Sequence, residues 1–323
     1  MATVELRAAS SARGTTTKVK KRKKFNSETL PGVLMASPAL IGVIGFVALP
    51  FVVAIVLSFF NVRLNSVRPP IFFGIEQYVR LFTDPIYSVP FFRALVNNLS
   101  FAVVVVPVQT AIALALAILL NRKIRGIAFF RTLFFMPVVF PMALVTVLWR
   151  LILDRSDNGL LNSVVSFLTG GAVGAHDWLG SPTTAMGSVI LLSIWQGVGF
   201  QMVIILAGLQ EIPQERYEAA QLDRAGAWAQ FRHVTVPGIR NTLIFVVLLT
   251  TILSFRVFDQ VYILIRGAGL NQDATRTVLY QATVTIFDEN NVGQAAAITV
   301  VFFIIVVALT LVQRRVLRQT SED

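Results

Sequence analysis

The feature that most constrains the fold is a set of long stretches that are almost free of charged residues. Each is close to the roughly 20 residues that a helix needs to cross a ~30 Å hydrocarbon core. Only a helix or a closed barrel satisfies its own backbone hydrogen bonds there. The six stretches are 34–60, 94–121, 132–149, 186–210, 241–264 and 292–313. With a mean hydropathy of +0.71, they predict an all-α polytopic membrane protein with six transmembrane helices.

The domain organisation follows from these stretches, because no connection between them is long enough for a separate soluble domain. We predict a basic, disordered tail at 1–30, one membrane domain at 31–318 and a short C-terminal tail at 319–323. The N-terminal region lacks a cleavable signal pattern, so the first span is expected to remain as an anchor.

The orientation follows from the distribution of Lys and Arg. With both termini inside, the inner segments hold 19 of the 28 Lys and Arg residues and the outer segments hold eight, the remaining one being Arg256. Since basic residues favour the cytoplasmic side, both termini are predicted to be cytoplasmic. The run from Lys18 to Lys24 is compatible with a nucleic-acid patch or an anionic-lipid clamp, but its place just before the first span favours an orientation signal. No nucleic-acid partner is expected.

The sequence has few of the residues that catalysis or metal binding requires. It contains no phosphate-binding G-x-x-x-x-G-K-[ST] loop, no G-x-S-x-G nucleophile elbow and no cysteine. Its two histidines, His176 and His233, fall on opposite sides of the membrane in this topology, so a paired-histidine metal site is not expected. The chain is therefore predicted to be no enzyme, with any energy supplied by another subunit.

A polar segment, residues 211–237, lies on the predicted inner side between two apolar stretches. Pro213 marks a helix start, and Glu215 and Glu218 fall in the first turns, where the helix dipole favours acids. Trp228 and Phe231 belong to an apolar stripe on a second short helix. The segment fits a docking element for a partner protein, or an amphipathic loop that rests on the membrane.

The same segment resembles the EAA loop of permease subunits of binding-protein-dependent ABC importers. The residues that match the family's pattern, identically or conservatively, are Glu218, Ala219, Ala220, Asp223, Val234, Val236 and Pro237. The glycine of the pattern is replaced by Arg224, and Gly226 is a candidate to take over the turn. In this family the loop forms a coupling helix on the ATPase subunit, which implies that role for these positions here.

Further stretches resemble the carbohydrate-uptake branch of this family, in particular its maltose-type first-of-pair permeases. They are Asn97-Asn98, Arg131-Thr132 with Pro137, Ile194-Trp195-Gln196, Leu206 to Gln210, and Phe258 to Leu264. The resemblance implies the fold of a type I importer transmembrane domain in a bacterial or archaeal inner membrane. It implies a second homologous permease chain, two ATPase subunits and an extracytoplasmic solute-binding protein as partners, with membrane lipid around them. It implies no cofactor on this chain, with ATP and Mg²⁺ held by the ATPase.

Two ionisable residues inside the predicted fifth span, Arg256 and Asp259, are candidates for the translocation path, because charges in a span are costly and usually functional. A continuous helix from residue 241 puts Arg256 about 22 Å above the inner surface and lets it pair with Asp259. The pair fits either a solute cavity or an ion pair that braces two permeases. Trp195, Gln196 and Tyr262 complete the predicted path, with an aromatic face for a sugar ring.

The resemblance implies uptake of a sugar, oligosaccharide, polyol or glycerol-phosphate-type solute. A secondary transporter of a small hydrophilic solute is the main alternative. Such a transporter usually carries an inverted repeat and deep coupling acids, which this sequence lacks.

Overall fold

A computed structural model describes residues 29–67, 69–122, 125–265 and 272–319. The Lys18 to Lys24 run, most of the predicted tail 1–30 and residues 320–323 of the predicted C-terminal tail lie outside these ranges. The described residues form almost only helices, which confirms the all-α prediction. The helices are α1 Thr29–Val43, α2 Leu49–Leu57, α3 Glu76–Thr83, α4 Pro85–Leu120, α5 Ile127–Val139, α6 Met142–Ile152, α7 Leu160–Leu168, α8 Ala185–Gln210, α9 Gln214–Leu222, α10 Ala227–Gln230, α11 Val236–Gly238, α12 Arg240–Phe255, α13 Asp259–Ile265, α14 Gln272–Thr275, α15 Val278–Phe287 and α16 Val292–Gln319.

Two short strands are the exception to this helical architecture. Strand β1 (Phe60–Asn61) pairs antiparallel with β2 (Ile71–Phe72), with Phe60 opposite Phe72. The edge-on contact between these two aromatic rings, at 5.3 Å between centroids, supports the pairing.

The described residues divide into two units, the first ending at Val52 and the second beginning at Val53. The described part of the first unit is helical throughout, with one π-helical turn at Ile44–Ala48. The segment Gly32–Leu57 is long and apolar enough to cross a membrane. Three helices of the second unit meet the same test, namely α4, α8 and the Val292–Val316 part of α16.

Two of the six predicted spans, the third at 132–149 and the fifth at 241–264, are each divided between two helices. Helices α5 and α6 meet at 98° within the third, and the fifth is interrupted between Phe255 of α12 and Asp259 of α13. The Ala227–Gly238 segment, which precedes the fifth predicted span, meets α12 at 68°. If each bent pair is one span, the described residues hold up to six spans. The first break has a local cause, because Phe140 precedes Pro141 and a residue before proline is driven to extended backbone; its ψ is 138°.

The second unit is built around α4, which packs along α8. Small residues let the helices approach closely. A methyl group at Gly199 of α8 would overlap the backbone oxygen of Phe134 and lie 3.0 Å from the Phe135 Cα in α5. At the C-terminal end of α4, Arg131 donates from Nε and Nη2 to the Leu120 carbonyl at 3.3 and 2.7 Å. This guanidinium satisfies a helix-terminal carbonyl that has no partner within α4.

Candidate functional site

The polar segment 211–237 contains two short helices, as the sequence predicts. Helix α9 starts directly after Pro213, which has the extended backbone of a helix N-cap. Helix α10 follows and continues through a π-helical turn, Phe231–Thr235, into α11. The two helical parts are tied together, since the Tyr217 hydroxyl lies 3.0 Å from Thr235 Oγ1. The loop therefore has a defined shape of its own.

The surface of this loop combines acids with exposed apolar side chains. Glu218, Ala219, Asp223 and Pro237 are exposed, and Ala220 is half-buried. Leu222 is 85% exposed, and Trp228, which stacks on Phe231 at 5.3 Å, is 70% exposed. Leu222 was not singled out from the sequence, because a leucine in a short helix is normally a core-facing residue. Exposed apolar groups beside charges are typical of a protein-docking surface.

Arg224 occupies a backbone conformation that favours glycine. Its φ is +55°, in the left-handed region. The Arg224 N–H donates to Gln221 O at 2.9 Å, and the Ala225 N–H donates to Ala220 O at 2.9 Å. These two bonds form a Schellman motif with Arg224 at the position after the C-cap, where glycine is preferred. Gly226 has a φ of −67° and is the N-cap of α10, so the suggestion that it takes over the turn is wrong.

This conformation predicts that Arg224→Gly stabilises the loop. Removing a side chain from a left-handed position relieves about 1 kcal/mol of backbone strain. We expect slower amide hydrogen exchange at residues 224 and 225, measured by mass spectrometry. Arg224→Ala is the matched control, because it removes the guanidinium but keeps Cβ, and it should give no gain. Faster exchange in the glycine variant would contradict the assignment.

A cavity of about 300 Å³ lies in the second unit, bounded by α4, α6, α8, α12, the start of α13 and the residues between α12 and α13. Its wall is mixed, with apolar side chains such as Phe101 and Met142 between polar groups. The polar side chains in the wall are Gln109, Ser193, Gln196, Thr250, Ser254, Arg256, Asp259 and Gln260. One of them, Thr250, is also hydrogen bonded to Gln201 of α8. The lining therefore offers many hydrogen-bond donors and acceptors.

Three of the five residues predicted for the translocation path lie in this wall, namely Gln196, Arg256 and Asp259. The other two lie elsewhere. Trp195 packs against Trp149 at 5.7 Å and lines two separate apolar grooves. Tyr262 packs between Phe258 and Tyr280, at 5.2 and 6.0 Å. The aromatic face expected from Trp195 or Tyr262 is therefore not in the described wall, where Phe101 is the aromatic side chain present.

The predicted pairing of Arg256 with Asp259 is also wrong. Helix α12 ends at Phe255, Arg256 is its C-cap and Asp259 begins α13, so the two residues do not share one helix. Within the described residues, no ion pair joins them. Both side chains are exposed, whereas Phe255 and Val257, the two neighbours of Arg256 in sequence, are buried. We call the interruption between α12 and α13, residues 256–258, the break of the fifth span. It leaves both charged side chains at the cavity wall.

The sequence did not single out the other polar groups of the wall, such as Gln109, Ser193 and Thr250. The available signal was an isolated polar residue within an apolar stretch, which by itself does not say which helix face meets which neighbour. Among the described residues, no group of three or more His, Cys, Asp or Glu side chains could hold a metal ion.

The chain is similar to known proteins in both sequence and structure. Residues 87–322 match the family described as binding-protein-dependent transport system inner membrane component. A probable ABC transporter permease protein of Bacillus subtilis, YurN, is 36% identical over 306 residues, which cover 92% of this chain and 99% of that protein. The trehalose/maltose transport system permease protein MalF of Thermococcus litoralis is 30% identical, over 88% of this chain and 92% of its own length. The lactose transport system permease protein LacF of Rhizobium radiobacter is 31% identical, over 87% and 92%.

The fold also matches a solved structure. A chain of a bacterial ABC transporter involved in import of the acidic polysaccharide alginate superposes with a TM-score of 0.76 at 18% identity, covering 90% of this chain and 96% of that one. A second structure of a bacterial alginate ABC transporter, in complex with an alginate pentasaccharide-bound periplasmic protein, gives a TM-score of 0.75 at 18% identity.

Proposed function

The chain belongs to the family of binding-protein-dependent transport system inner membrane components, the non-catalytic permease subunits of ABC importers, and from this membership we propose that its cavity is half of a path for an uncharged, hydroxyl-rich solute. The single observation that carries the proposal is the composition of the cavity wall. It holds one guanidinium and one carboxylate, Arg256 and Asp259, among amide and hydroxyl side chains. This set offers no net charge to a solute and many hydrogen bonds.

The solute class is a sugar, oligosaccharide or polyol. Two relatives are named for disaccharides, trehalose and maltose in one and lactose in the other. A glycerol-phosphate-type solute is less well matched, because the carboxylate of Asp259 beside Arg256 opposes a phosphate group. The family membership also favours this function over a secondary transporter.

The open side of the cavity faces a second, homologous permease. Arg256 and Asp259 are exposed on the surface of this chain, and Arg256 directly follows α12, which belongs to one of the two bent helix pairs that can each count as one span. Charged side chains at membrane depth face a water-filled path or protein rather than lipid, because lipid cannot solvate them. A partner chain is therefore needed to complete the wall.

The remaining partners follow from the same proposal. Two ATPase subunits hold ATP and Mg²⁺, and one of them docks on the loop 211–237 of this chain through Glu218, Ala219, Ala220 and Asp223, with Arg224, Gly226 and Pro237 shaping the loop. An extracytoplasmic binding protein delivers the solute, and membrane lipid surrounds the helices. The loop and both termini are cytoplasmic, in agreement with the excess of Lys and Arg in the inner segments.

The test is removal of charge at the cavity wall. In proteoliposomes with the partner permease, ATPase and binding protein, Arg256→Gln and Asp259→Asn should each lower ATP-driven uptake of radiolabelled maltose or trehalose by about tenfold, a loss of 1.4 kcal/mol. Each variant loses a charge-assisted hydrogen bond to the solute.

The matched control is Arg80→Gln, which removes an outer arginine that forms an exposed pair with Glu76 at 3.1 Å. Uptake should stay within about twofold of wild type, since exposed pairs contribute little. If a double variant that carries both Arg256→Gln and Asp259→Asn takes up every tested sugar at the normal rate, this cavity is excluded as the path. Preferential uptake of glycerol phosphate would overturn the solute class alone.

A further inference from the structure

Asn98 of α4 is fully buried and connects two other parts of the chain. Its Nδ2 donates to the Phe255 carbonyl at 3.4 Å, and its Oδ1 accepts from the Val278 N–H at 2.8 Å. Phe255 is the last residue of α12 and Val278 is the first of α15. One amide side chain is therefore hydrogen bonded both to the last residue of α12 and to the first residue of α15.

These two backbone groups need partners from outside their own helices. The last carbonyls and the first N–H groups of a helix have no intrahelical partner, and a buried polar group without a partner is costly. Thr277, the N-cap of α15, does not cap its own helix, because its Oγ1 donates to the Val257 carbonyl at 3.1 Å. Asn98 and Thr277 thus satisfy carbonyls on both sides of Arg256.

The break held in this way forms part of the cavity wall. Ser254, Arg256, Val257 and Asp259 line the cavity from the end of α12 to the start of α13. Asn98 lies behind this wall and is not part of the lining. Its hydrogen bonds therefore act on the shape of the wall and not on a solute directly.

The alternative to the break is a continuous helix. The run of apolar residues over 241–264 favours one, and on such a helix Arg256 and Asp259 are three residues apart on one face and able to pair. Pairing would satisfy each charge with the other and withdraw both from the solute. Within the described residues, the structure has the broken form and no such pair.

We propose that Asn98 is a positioning residue for solute recognition, which holds the fifth span broken so that Arg256 and Asp259 stay separate at the cavity wall. The proposal rests on the proposed function, because it assumes that this cavity receives the solute. Loss of the Asn98 hydrogen bonds should shift the segment towards the continuous helix, with a less accessible wall and paired charges.

The chain has no cysteine, which allows a direct test by single-cysteine labelling. Gln260→Cys reports on the cavity wall, and its rate of reaction with a hydrophilic maleimide is measured in the assembled complex without solute. We expect Asn98→Leu, which keeps a similar volume but forms no hydrogen bond, to slow labelling by about tenfold. Asn98→Asp, which keeps only an acceptor for the Val278 N–H, should have a smaller effect in the same direction.

The matched control is Asn97→Leu. The neighbouring side chain also donates to backbone carbonyls, of Asp273 and Arg276 at 2.9 and 3.0 Å, but these lie outside the break. Labelling at position 260 should then remain within about twofold of the parent. Adding Asp259→Asn to Asn98→Leu should restore part of the labelling rate, because it removes the pairing that favours the continuous helix.

Unchanged labelling in an assembled Asn98→Leu complex would overturn the proposal. If leucine prevents assembly, Asn98→Asp decides in the same assay, and unchanged labelling again overturns it. The labelling rate does not depend on any solute, whereas uptake by the Arg256 and Asp259 variants does. If labelling is slowed in Asn98→Leu while the Arg256 and Asp259 variants take up solute normally, the cavity is not the solute path, but Asn98 still positions the break.

Discussion

Alanine in place of Gly199 is expected to cause a large loss of folded protein in the membrane. The added methyl group would overlap the backbone oxygen of Phe134 and approach the Phe135 Cα to 3.0 Å, so α5 and α8 would have to move apart. A side-chain neighbour can rotate away, but these atoms belong to the backbone of a packed helix. We expect a cost of about 3 kcal/mol or more, towards the upper end of overpacking effects. Thermal unfolding of the purified complex, followed by size-exclusion chromatography, measures it.

Gly187→Ala is the matched control, because Gly187 lies on the same helix and a methyl group there meets nothing within 4 Å. Alanine is the better helix former, so this variant should be neutral or more stable by up to about 1 kcal/mol. Equal stability of the two variants would show that α5 and α8 are not in backbone contact at Gly199.

Charge reversal at Glu218 is expected to reduce ATP-driven uptake by at least about tenfold while the chain still inserts and pairs with its partner permease. Glu218 is exposed on α9, outside every membrane span, so lysine there disturbs no packing within this chain. Its effect would arise at the docking surface for the ATPase. Uptake into proteoliposomes and co-purification of the ATPase with the permease are the two measurements.

Glu218→Gln gives a graded comparison, because it keeps the size of the side chain and removes only the charge. We expect an intermediate loss of uptake and of bound ATPase. Uptake and ATPase recovery at wild-type levels in the lysine variant would exclude Glu218 from the docking surface. Loss of uptake with full ATPase recovery would instead assign Glu218 to transmission of movement after docking.

The polar segment 211–237 shows how much a local sequence pattern can predict. The sequence predicts two short helices with a turn between them, and the structure confirms both, because caps and helix-forming residues act over a few positions. It places the turn at Gly226, whereas Arg224 has the left-handed backbone. Residue preference favours glycine there, but the hydrogen bonds of the Schellman motif hold arginine in that conformation.

The fifth predicted span shows what a local sequence pattern cannot predict. The apolar run 241–264 predicts one helix, yet α12 stops at Phe255. The partners that make the stop possible come from far along the chain, with Asn98 on α4 and Thr277 before α15. The sequence of residues 241–264 contains no pattern that predicts such distant contacts.

By itself, the sequence determined that the chain is a helical membrane protein, approximately where its helices lie, and which family it resembles. These properties follow from hydrophobicity and short motifs, which act on each segment separately. Only the tertiary structure decided that Gln196, Arg256 and Asp259 share one cavity while Trp195 and Tyr262 lie outside it. The physical reason is that lipid is as apolar as most side chains, so close packing and a few polar contacts between helices choose which faces meet.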